Sequence, residues 1–201
     1  MHYAWRKNTS PIGPREQQKL VDAGHIEPDE RWWVLRDVNT GDELRNQHHS
    51  IQWNPYRGRY VGVFTGHPVG EFQSLRQLWY GEADTLMGPW GYLEKVVDLK
   101  GYAYYNPLLN PYFYQDGGRI VFFEGTYVRF MDKTIRMRPR YNYNQVMHRL
   151  DLDDPRVILP VVVYEIERGG RRLATKDENP VGRDGVRRPR FFAADRPRPE
   201  C

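Results

Sequence analysis

Residues 54–66 read NPYRGRYVGVFTG, and residues 113–125 read FYQDGGRIVFFEG. Each segment combines an apolar lead-in, a glycine turn, an arginine and a β-type run that ends near a glycine. A second pair of β-type runs follows each segment, so the chain contains two copies of one unit of about 50–60 residues. Repeated meanders of four antiparallel strands are typical of β-propeller blades.

The rest of the sequence also favours strands. The chain is 14% aromatic, with 14 tyrosines and 6 tryptophans, and flat rings suit the surface of a pleated sheet. The predicted strands are residues 59–64, 78–83, 92–97, 119–124, 144–150 and 157–164. A closed propeller needs at least about four blades. We therefore predict an all-β, propeller-like fold with two four-stranded antiparallel blades, parts of others and an incomplete ring.

Composition divides the chain into three zones. Residues 1–50 are predicted to hold a short helix that begins near Pro14, followed by a hairpin whose first strand is Trp32–Val38. Residues 51–167 hold the predicted blades. Residues 168–201 contain ten basic and five acidic residues among many glycines and prolines, which predicts a mostly irregular tail.

The net charge of +4 comes from that tail, because the preceding 167 residues carry a net charge of −1. A polybasic segment rich in glycine and proline is usually solvated, and the chain shows no motif that reads nucleic acid. We therefore predict no nucleic-acid partner.

Other absences in the sequence exclude further classes. No apolar run approaches the roughly 18 residues that span a membrane, so we predict no membrane partner. The lone cysteine, Cys201, excludes an internal disulfide and a cysteine-based metal site. The His48–His49 pair lacks the spacing of a metal site, and no nucleotide-binding loop occurs. We expect no metal and no cofactor. The sequence leaves the cellular compartment and the oligomeric state open, and the full-length protein could lie outside the cytoplasm.

Three strings point to a family. Residues 79–90 read WYGEADTLMGPW, residues 123–127 read FEGTY, and residues 139–145 read PRYNYNQ. Together they resemble the five-bladed propeller glycoside hydrolases of family 43 and a group of bacterial proteins allied to them. The resemblance covers residues 3–164 and implies the C-terminal part of a longer propeller, with an oligo- or polysaccharide as substrate or ligand. It also implies hydrolysis of O-glycosidic bonds where the full set of blades is present.

Glu124 and Glu82 are the candidate catalytic residues. Hydrolysis of a glycosidic bond needs two carboxyl groups, one on each side of the bond. Each of these glutamates ends an apolar, aromatic run, where a carboxylate is costly unless it has a partner or a task. The alternative is that each one pairs with an arginine or points outward from its strand.

The candidate sugar-binding residues are rings, amides and one arginine, which can stack on sugars or hydrogen-bond to hydroxyl groups. They are Tyr105, Asn106, Arg140, Tyr141, Asn142, Tyr143, Asn144 and Gln145. The alternative is a contact loop between blades. In the glycosidases the catalytic base typically lies in the first blade, and the resemblance implies that this chain corresponds to later blades. That departure favours the second functional hypothesis, a non-catalytic propeller module that binds sugar or protein.

Overall fold

The computed structural model describes residues 7, 8, 10, 12–71, 75–99, 101–129, 136, 142–160, 162, 164–167 and 170–173. These contain α1 (Pro14–Asp22), β1 (Leu35–Asp37), β2 (Glu43–Asn54), β3 (Arg59–Pro68), β4 (Gln77–Ala83), β5 (Tyr92–Asp98), β6 (Ala103–Leu109), β7 (Ile120–Val128), β8 (Tyr143–Asp151), β9 (Tyr164–Glu167) and β10 (Gly170–Leu173). Short 3-10 turns lie at Pro28–Glu30, Pro111–Phe113, Asp116–Gly118 and Pro155–Val157. The all-β prediction is confirmed.

The first sheet is built on the meander β2–β3–β4–β5, in which every neighbouring pair is antiparallel. These four strands cover residues 51–97, where the sequence predicts the first blade, although β2 begins earlier, at Glu43. β1 was not part of the predicted unit. It pairs antiparallel with β2 and parallel with β5, so the five-stranded sheet closes on itself.

The second sheet has three antiparallel strands, in the order β6–β7–β8. The sequence predicts a fourth strand over residues 157–164, but the described residues differ from it. The side chain of Asp154 accepts a hydrogen bond from the Arg156 N–H and starts the 3-10 turn Pro155–Val157. Among the residues described after this turn, strand pairing begins at Tyr164, where β9 pairs with β10. An aspartate cap followed by a proline therefore places Val157, the first residue of the predicted strand, in a 3-10 turn.

Local interactions explain where the helix and the strand before β2 begin and end. Pro14 occupies the first turn of α1, where its missing N–H costs nothing, and the Glu16 carboxylate accepts the Gly13 N–H at 3.1 Å. β1 is shorter than the predicted strand Trp32–Val38 because Trp33 has a φ of 58°, which interrupts extended backbone. The antiparallel pairing of β1 with β2 places a hairpin inside residues 1–50.

Two apolar clusters hold the fold together. One lies between the sheets and joins Val61, Val63, Leu78 and Tyr80 of the first sheet to Tyr104, Leu109, Val121 and Phe123 of the second. The other lines the opposite face of the first sheet and includes Leu35, Leu44, Phe64, Trp79, Trp90 and Leu93. Successive side chains of a strand point to opposite faces, so β3, β4 and β5 each contribute to both clusters, whereas Leu35 of β1 and Leu44 of β2 belong to the second.

A pair of glycines makes room for the rings of the second cluster. Gly62 and Gly81 face each other across β3 and β4. A Cβ atom on Gly62 would lie 2.7 Å from the Phe64 ring, and one on Gly81 would lie 2.3 Å from Leu93. The rings of Phe64 and Trp90 pack edge to face at 5.3 Å in the space that the glycines leave. The interior of the closed sheet is thus filled by side chains.

Only part of the predicted tail is described. Within residues 168–201, Gly170–Leu173 form β10, which the tail prediction did not include, and the rest of the tail lies outside the described residues. Among the helices that the structure describes, none has the length and apolar character to cross a membrane.

Candidate functional site

The β6–β8 sheet has one face in the core and one face on the surface. Val121 and Phe123 of β7 pack into the core between the sheets, so the alternate residues Glu124 and Thr126 point the other way. The register extends this surface across three strands, with Leu108, Glu124 and Met147 in one row and Tyr105, Thr126 and Gln145 in the next. We call this surface the outer face.

The outer face also carries Tyr143, at the start of β8. The Tyr105 hydroxyl donates a hydrogen bond of 2.7 Å to the Tyr143 hydroxyl, and the two ring centroids are 6.4 Å apart. This hydrogen bond raises the pKa of Tyr105. Tyr143 is 67% exposed. The structure therefore brings four predicted site residues to one face: Tyr105, Glu124, Tyr143 and Gln145.

Glu124 lies near the middle of the outer face and is half-buried. Its Oε1 accepts a hydrogen bond of 3.4 Å from the amide of Asn110, a residue in the connection that follows β6. Its charge also affects Tyr104 on the other face of the sheet. Burial raises the pKa of Tyr104 most, and the negative charge of Glu124 raises it further. Glu124 thus offers hydrogen-bond acceptors on the outer face, and the Asn110 amide orients its carboxylate.

Asp151 also lies on the outer face, but its carboxylate is far from that of Glu124. In the register of β7 and β8, Glu124 faces Met147, whereas Asp151 faces Ile120. Four residues along a strand correspond to about 14 Å. Hydrolysis of a glycosidic bond uses carboxyl groups about 5–9.5 Å apart. The Asp151 carboxylate is also paired with Arg119 Nη1 at 2.8 Å.

Glu82 occupies a different environment. It is 4% exposed on β4, and its carboxylate lies 3.2 Å from Arg57 Nε and 3.5 Å from Arg59 Nη1. The Tyr80 hydroxyl donates to it at 2.9 Å. Burial, and then the Glu82 charge, raise the pKa of Tyr80 well above its ordinary value. This is the arginine pairing that the sequence left open as the alternative for Glu82.

The two candidate catalytic glutamates lie on opposite sides of β7. Glu82 alternates with Tyr80 on β4 and shares its side of the first sheet, toward the core between the sheets. Glu124 points away from that core. The structure therefore does not bring these two carboxyl groups to one bond.

The Glu82 cluster instead connects the two sheets. Nη2 of Arg57 donates to the carbonyl oxygen of Leu152, in the segment that follows β8. The side-chain amide of Asn54, at the end of β2, donates to the carbonyl oxygen of Gly118 at 2.8 Å. The turn between β2 and β3 is thereby tied to the end of the second sheet.

A groove adjoins the outer face where β2 and β6 run side by side. Both strands carry a bulge there, at Gln47 in β2 and at Asn106–Pro107 in β6. Asn106 has a φ of 55°, which is uncommon for a residue other than glycine. The groove has a volume of about 490 Å³ and is lined by Gln47, His48, His49, Asn106, Pro107 and Leu108. Bulges recur next to functional sites because they redirect side chains.

The groove and the outer face share Leu108, so they form one continuous surface. Asn106 is the predicted residue that lines the groove. Gln47 was not predicted, because a bulge in β2 has no turn residue or glycine to signal it in the sequence. We call this combined surface the candidate site.

The remaining predicted residues lie elsewhere. Asn144 faces Tyr127 in the β7–β8 register, so it points to the opposite side from Gln145. Asn142 precedes β8, and its carbonyl oxygen accepts the Arg129 N–H at 3.0 Å. Arg140 and Tyr141 lie outside the described residues. Among the side chains that the structure describes, no three histidines, cysteines or acids gather as a metal site would require.

His148 predicts a pH-dependent stability. Its ring stacks on Phe123 at 5.2 Å, and burial lowers its pKa from the ordinary 6.5. The folded state favours the neutral ring, so this contribution is complete above pH 6.5 and is lost as the pH falls from there through the lowered pKa. We expect the melting temperature of the wild type to fall more between pH 7 and pH 5 than that of His148→Phe. Equal changes in melting temperature for the two proteins would contradict this prediction. The pKa of His49 is also lowered, but His49 is present in both proteins, so its contribution cancels in the comparison.

No family model, curated protein or solved structure matches this chain.

Proposed function

We propose that this chain is a carbohydrate-binding module and that the outer face is its binding surface. The observation that carries the proposal is the register of β6, β7 and β8, which gathers Tyr105, Tyr143, Glu124 and Gln145 on one exposed face. Tyrosine rings offer apolar faces to sugar rings, while a carboxylate and an amide accept or donate hydrogen bonds to hydroxyl groups. Sites of this type combine apolar contact with a few convergent polar groups.

We also propose that the module is related to the propeller glycoside hydrolases of family 43. The four-stranded antiparallel meander β2–β5 supports this relation, because it has the strand order of one blade. The relation implies that the two sheets descend from neighbouring blades. The closure of the first sheet by β1, and the three strands of the second, are departures from such a blade.

Binding is favoured over hydrolysis by the positions of the carboxyl groups. Glu124 and Glu82 lie on opposite sides of β7, and both carboxylate oxygens of Glu82 lie beside arginine nitrogens. Asp151, which shares the outer face, is too far from Glu124 for a catalytic pair and is held by Arg119. A face with one available carboxylate can orient a sugar without cleaving it.

Tyr143→Ala is expected to weaken glycan binding about tenfold or more. An exposed aromatic ring at a binding surface commonly contributes more than about 1.4 kcal/mol, which corresponds to a factor of ten in Kd. Calorimetric titration with xylan, arabinan, cello-oligosaccharide and chito-oligosaccharide fragments would measure it. Tyr112→Ala is the matched control, because Tyr112 is 94% exposed on the Pro111–Phe113 turn and belongs to none of the three strands β6, β7 and β8.

Two outcomes would contradict this proposal. If the two tyrosine variants lose affinity equally, the outer face is not the binding surface. If the wild type releases reducing sugar from one of these glycans and Glu124→Gln lowers that rate about 100-fold, general acid–base catalysis runs through Glu124. The glycosidase hypothesis then replaces the binding module.

A further inference from the structure

We infer that β8 is the pairing edge for a second copy of this chain, so that two β6–β7–β8 sheets join into one continuous antiparallel sheet. The inference goes beyond the proposed function and does not depend on it. It begins from the edges of the second sheet. Among the strands that the structure describes, β8 pairs only with β7, so its other edge has no partner strand.

The opposite edge of this sheet is covered by the rest of the molecule. β6 lies beside β2, where the Leu109 N–H donates to the Ser50 hydroxyl oxygen at 3.0 Å. The Tyr104 N–H donates to the carbonyl oxygen of Leu75 at 2.7 Å. An edge strand with free backbone groups is a template for another strand. Within the described part of the second sheet, β8 is therefore the edge that a further strand can join.

Hydrogen bonds just beyond the two ends of β8 show which of its backbone groups point away from β7. The Arg129 N–H donates to the Asn142 carbonyl oxygen, and the Leu152 N–H donates to the Arg119 carbonyl oxygen. Hydrogen-bonded pairs alternate along an antiparallel ladder, so the even-numbered residues from Asn142 to Leu152 bond to β7. The odd-numbered residues direct their N–H and C=O groups to the open edge: Tyr143, Gln145, Met147, Arg149 and Asp151.

This open edge is accessible and has few of the features that block strand pairing. Met147, at its centre, is 43% exposed. Proteins commonly protect an edge with bulges, prolines or lysines. The β7–β8 register runs without a bulge, and β8 contains neither proline nor lysine. The Gln145 N–H donates to the Asn144 side-chain oxygen at 2.8 Å, which is a local bond that a carbonyl of another strand can replace.

A second copy is favoured as the partner because β8 is complementary to itself. A twofold axis through Met147 pairs two copies of β8 antiparallel over all nine residues, with outward-facing groups opposite each other. It places Arg149 opposite Gln145 of the second copy, and Asp151 opposite Tyr143 of the second copy. A guanidinium group then meets an amide, and a carboxylate meets a hydroxyl group. No two like charges lie directly opposite, which would oppose pairing.

The face of β8 toward the core is also complementary in this register. Val146 and Leu150 are partly buried at the margin of the core between the sheets. Val146 lies opposite His148 of the second copy, and Leu150 lies opposite Asn144 of the second copy. The pairing therefore covers apolar surface that one copy leaves partly exposed. A single strand edge buries little area, so we expect a weak dimer whose population depends on concentration.

Backbone and side-chain variants at the axis test the interface. Sedimentation velocity across the micromolar range should show the wild type shifting from monomer to dimer as its concentration rises. Met147→Pro removes one outward N–H from each copy and no bond to β7, so it should weaken the dimer about tenfold or more with little change in melting temperature. Met147→Ala keeps the N–H and is the matched control, with an expected change of about threefold or less.

A charged variant keeps this test decisive if the proline variant unfolds. Met147→Lys retains every backbone group, and its exposed position tolerates a charge. It places two like charges opposite each other at the axis, so it should also dissociate the dimer. Circular dichroism would check that the variant is folded.

Cysteine variants test the register. In a Cys201→Ala background, Met147→Cys places two cysteines opposite each other at the axis, with Cα atoms about 5.5 Å apart, which a disulfide can span. Arg149→Cys is the matched control, because four residues, or about 14 Å along the strand, separate it from its own copy across the axis. Oxidation with diamide should give a covalent dimer from Met147→Cys and little from Arg149→Cys.

Three results would overturn the inference. One is a wild type that stays monomeric at every concentration, even if an extended peptide of another protein pairs with β8. Another is a dimer that both Met147→Pro and Met147→Lys leave intact, because its interface then lies elsewhere. The third is equal crosslinking of the two cysteine variants, which is incompatible with an axis through Met147. None of these results bears on the carbohydrate-binding proposal, which glycan titration tests separately.

Discussion

Replacing Arg57 with alanine is expected to lower the free energy of unfolding by about 3–5 kcal/mol, because it leaves the buried carboxylate of Glu82 with an incomplete set of partners. The same change removes the donor to the Leu152 carbonyl oxygen, which ties the first sheet to the segment after β8. Chemical denaturation, monitored by tryptophan fluorescence, would measure the loss. Sugar binding by the molecules that remain folded should be unchanged, because Arg57 lies away from the outer face.

Arg156→Ala is the matched control for Arg57→Ala. Arg156 is also paired with an aspartate, Asp154, but its side chain is 86% exposed. Exposed ion pairs contribute about 0–1 kcal/mol, so this variant should unfold close to the wild type. Equal losses in the two arginine variants would mean that burial does not set the strength of the Arg57–Glu82 pair.

Replacing Trp90 with alanine should cost about 3–5 kcal/mol of unfolding free energy. The ring is 2% exposed and fills the space above the facing glycines Gly62 and Gly81, where it packs on Phe64. Its removal leaves a cavity that the neighbouring strands cannot close, because they are held in a closed sheet. Thermal and denaturant unfolding would measure the effect.

Trp32→Ala provides the comparison for Trp90→Ala. Trp32 is 53% exposed, so the same change of residue type removes little buried area and should alter stability by less than about 1 kcal/mol. A small effect of Trp90→Ala, similar to that of Trp32→Ala, would show that the interior of the first sheet does not depend on this ring.

Much of the fold follows from local sequence signals. The strands around residues 59–64, 78–83 and 92–97 are marked by β-branched and aromatic residues between turns, and they lie inside β3, β4 and β5. The closure of the first sheet had no such signal. The closure depends on the pairing of Arg36 with Tyr92, which are far apart in the chain. The short apolar run before Val38 predicted only a hairpin with the next strand. Among the described residues of the predicted fourth strand of the second sheet, Val157 lies in a proline-led 3-10 turn that its apolar neighbours did not reveal.

The candidate site was predictable in part. Glu124, Tyr105, Tyr143 and Gln145 were selected by residue type, and the β7–β8 register then placed them on one face. Gln47 was not selected, because it lines the groove at a bulge in β2, and a single sequence does not show such a bulge. For Glu82 the sequence left two roles open, and the choice depended on whether Arg57 and Arg59 would fold back onto it.

The parallel contact between β1 and β5 has a consequence for the order of folding. Strands β2–β5 are joined by short connections, so their pairing costs little chain entropy and can precede the rest. The hydrogen bonds from Arg36 N–H to the Gly91 carbonyl and from Val38 N–H to the Leu93 carbonyl can form only once both ends of that meander are in place. Contacts that form after the transition state slow unfolding without speeding folding. We therefore expect the β1–β5 contact to slow unfolding more than it speeds folding, so that its loss would shorten the lifetime of the native state.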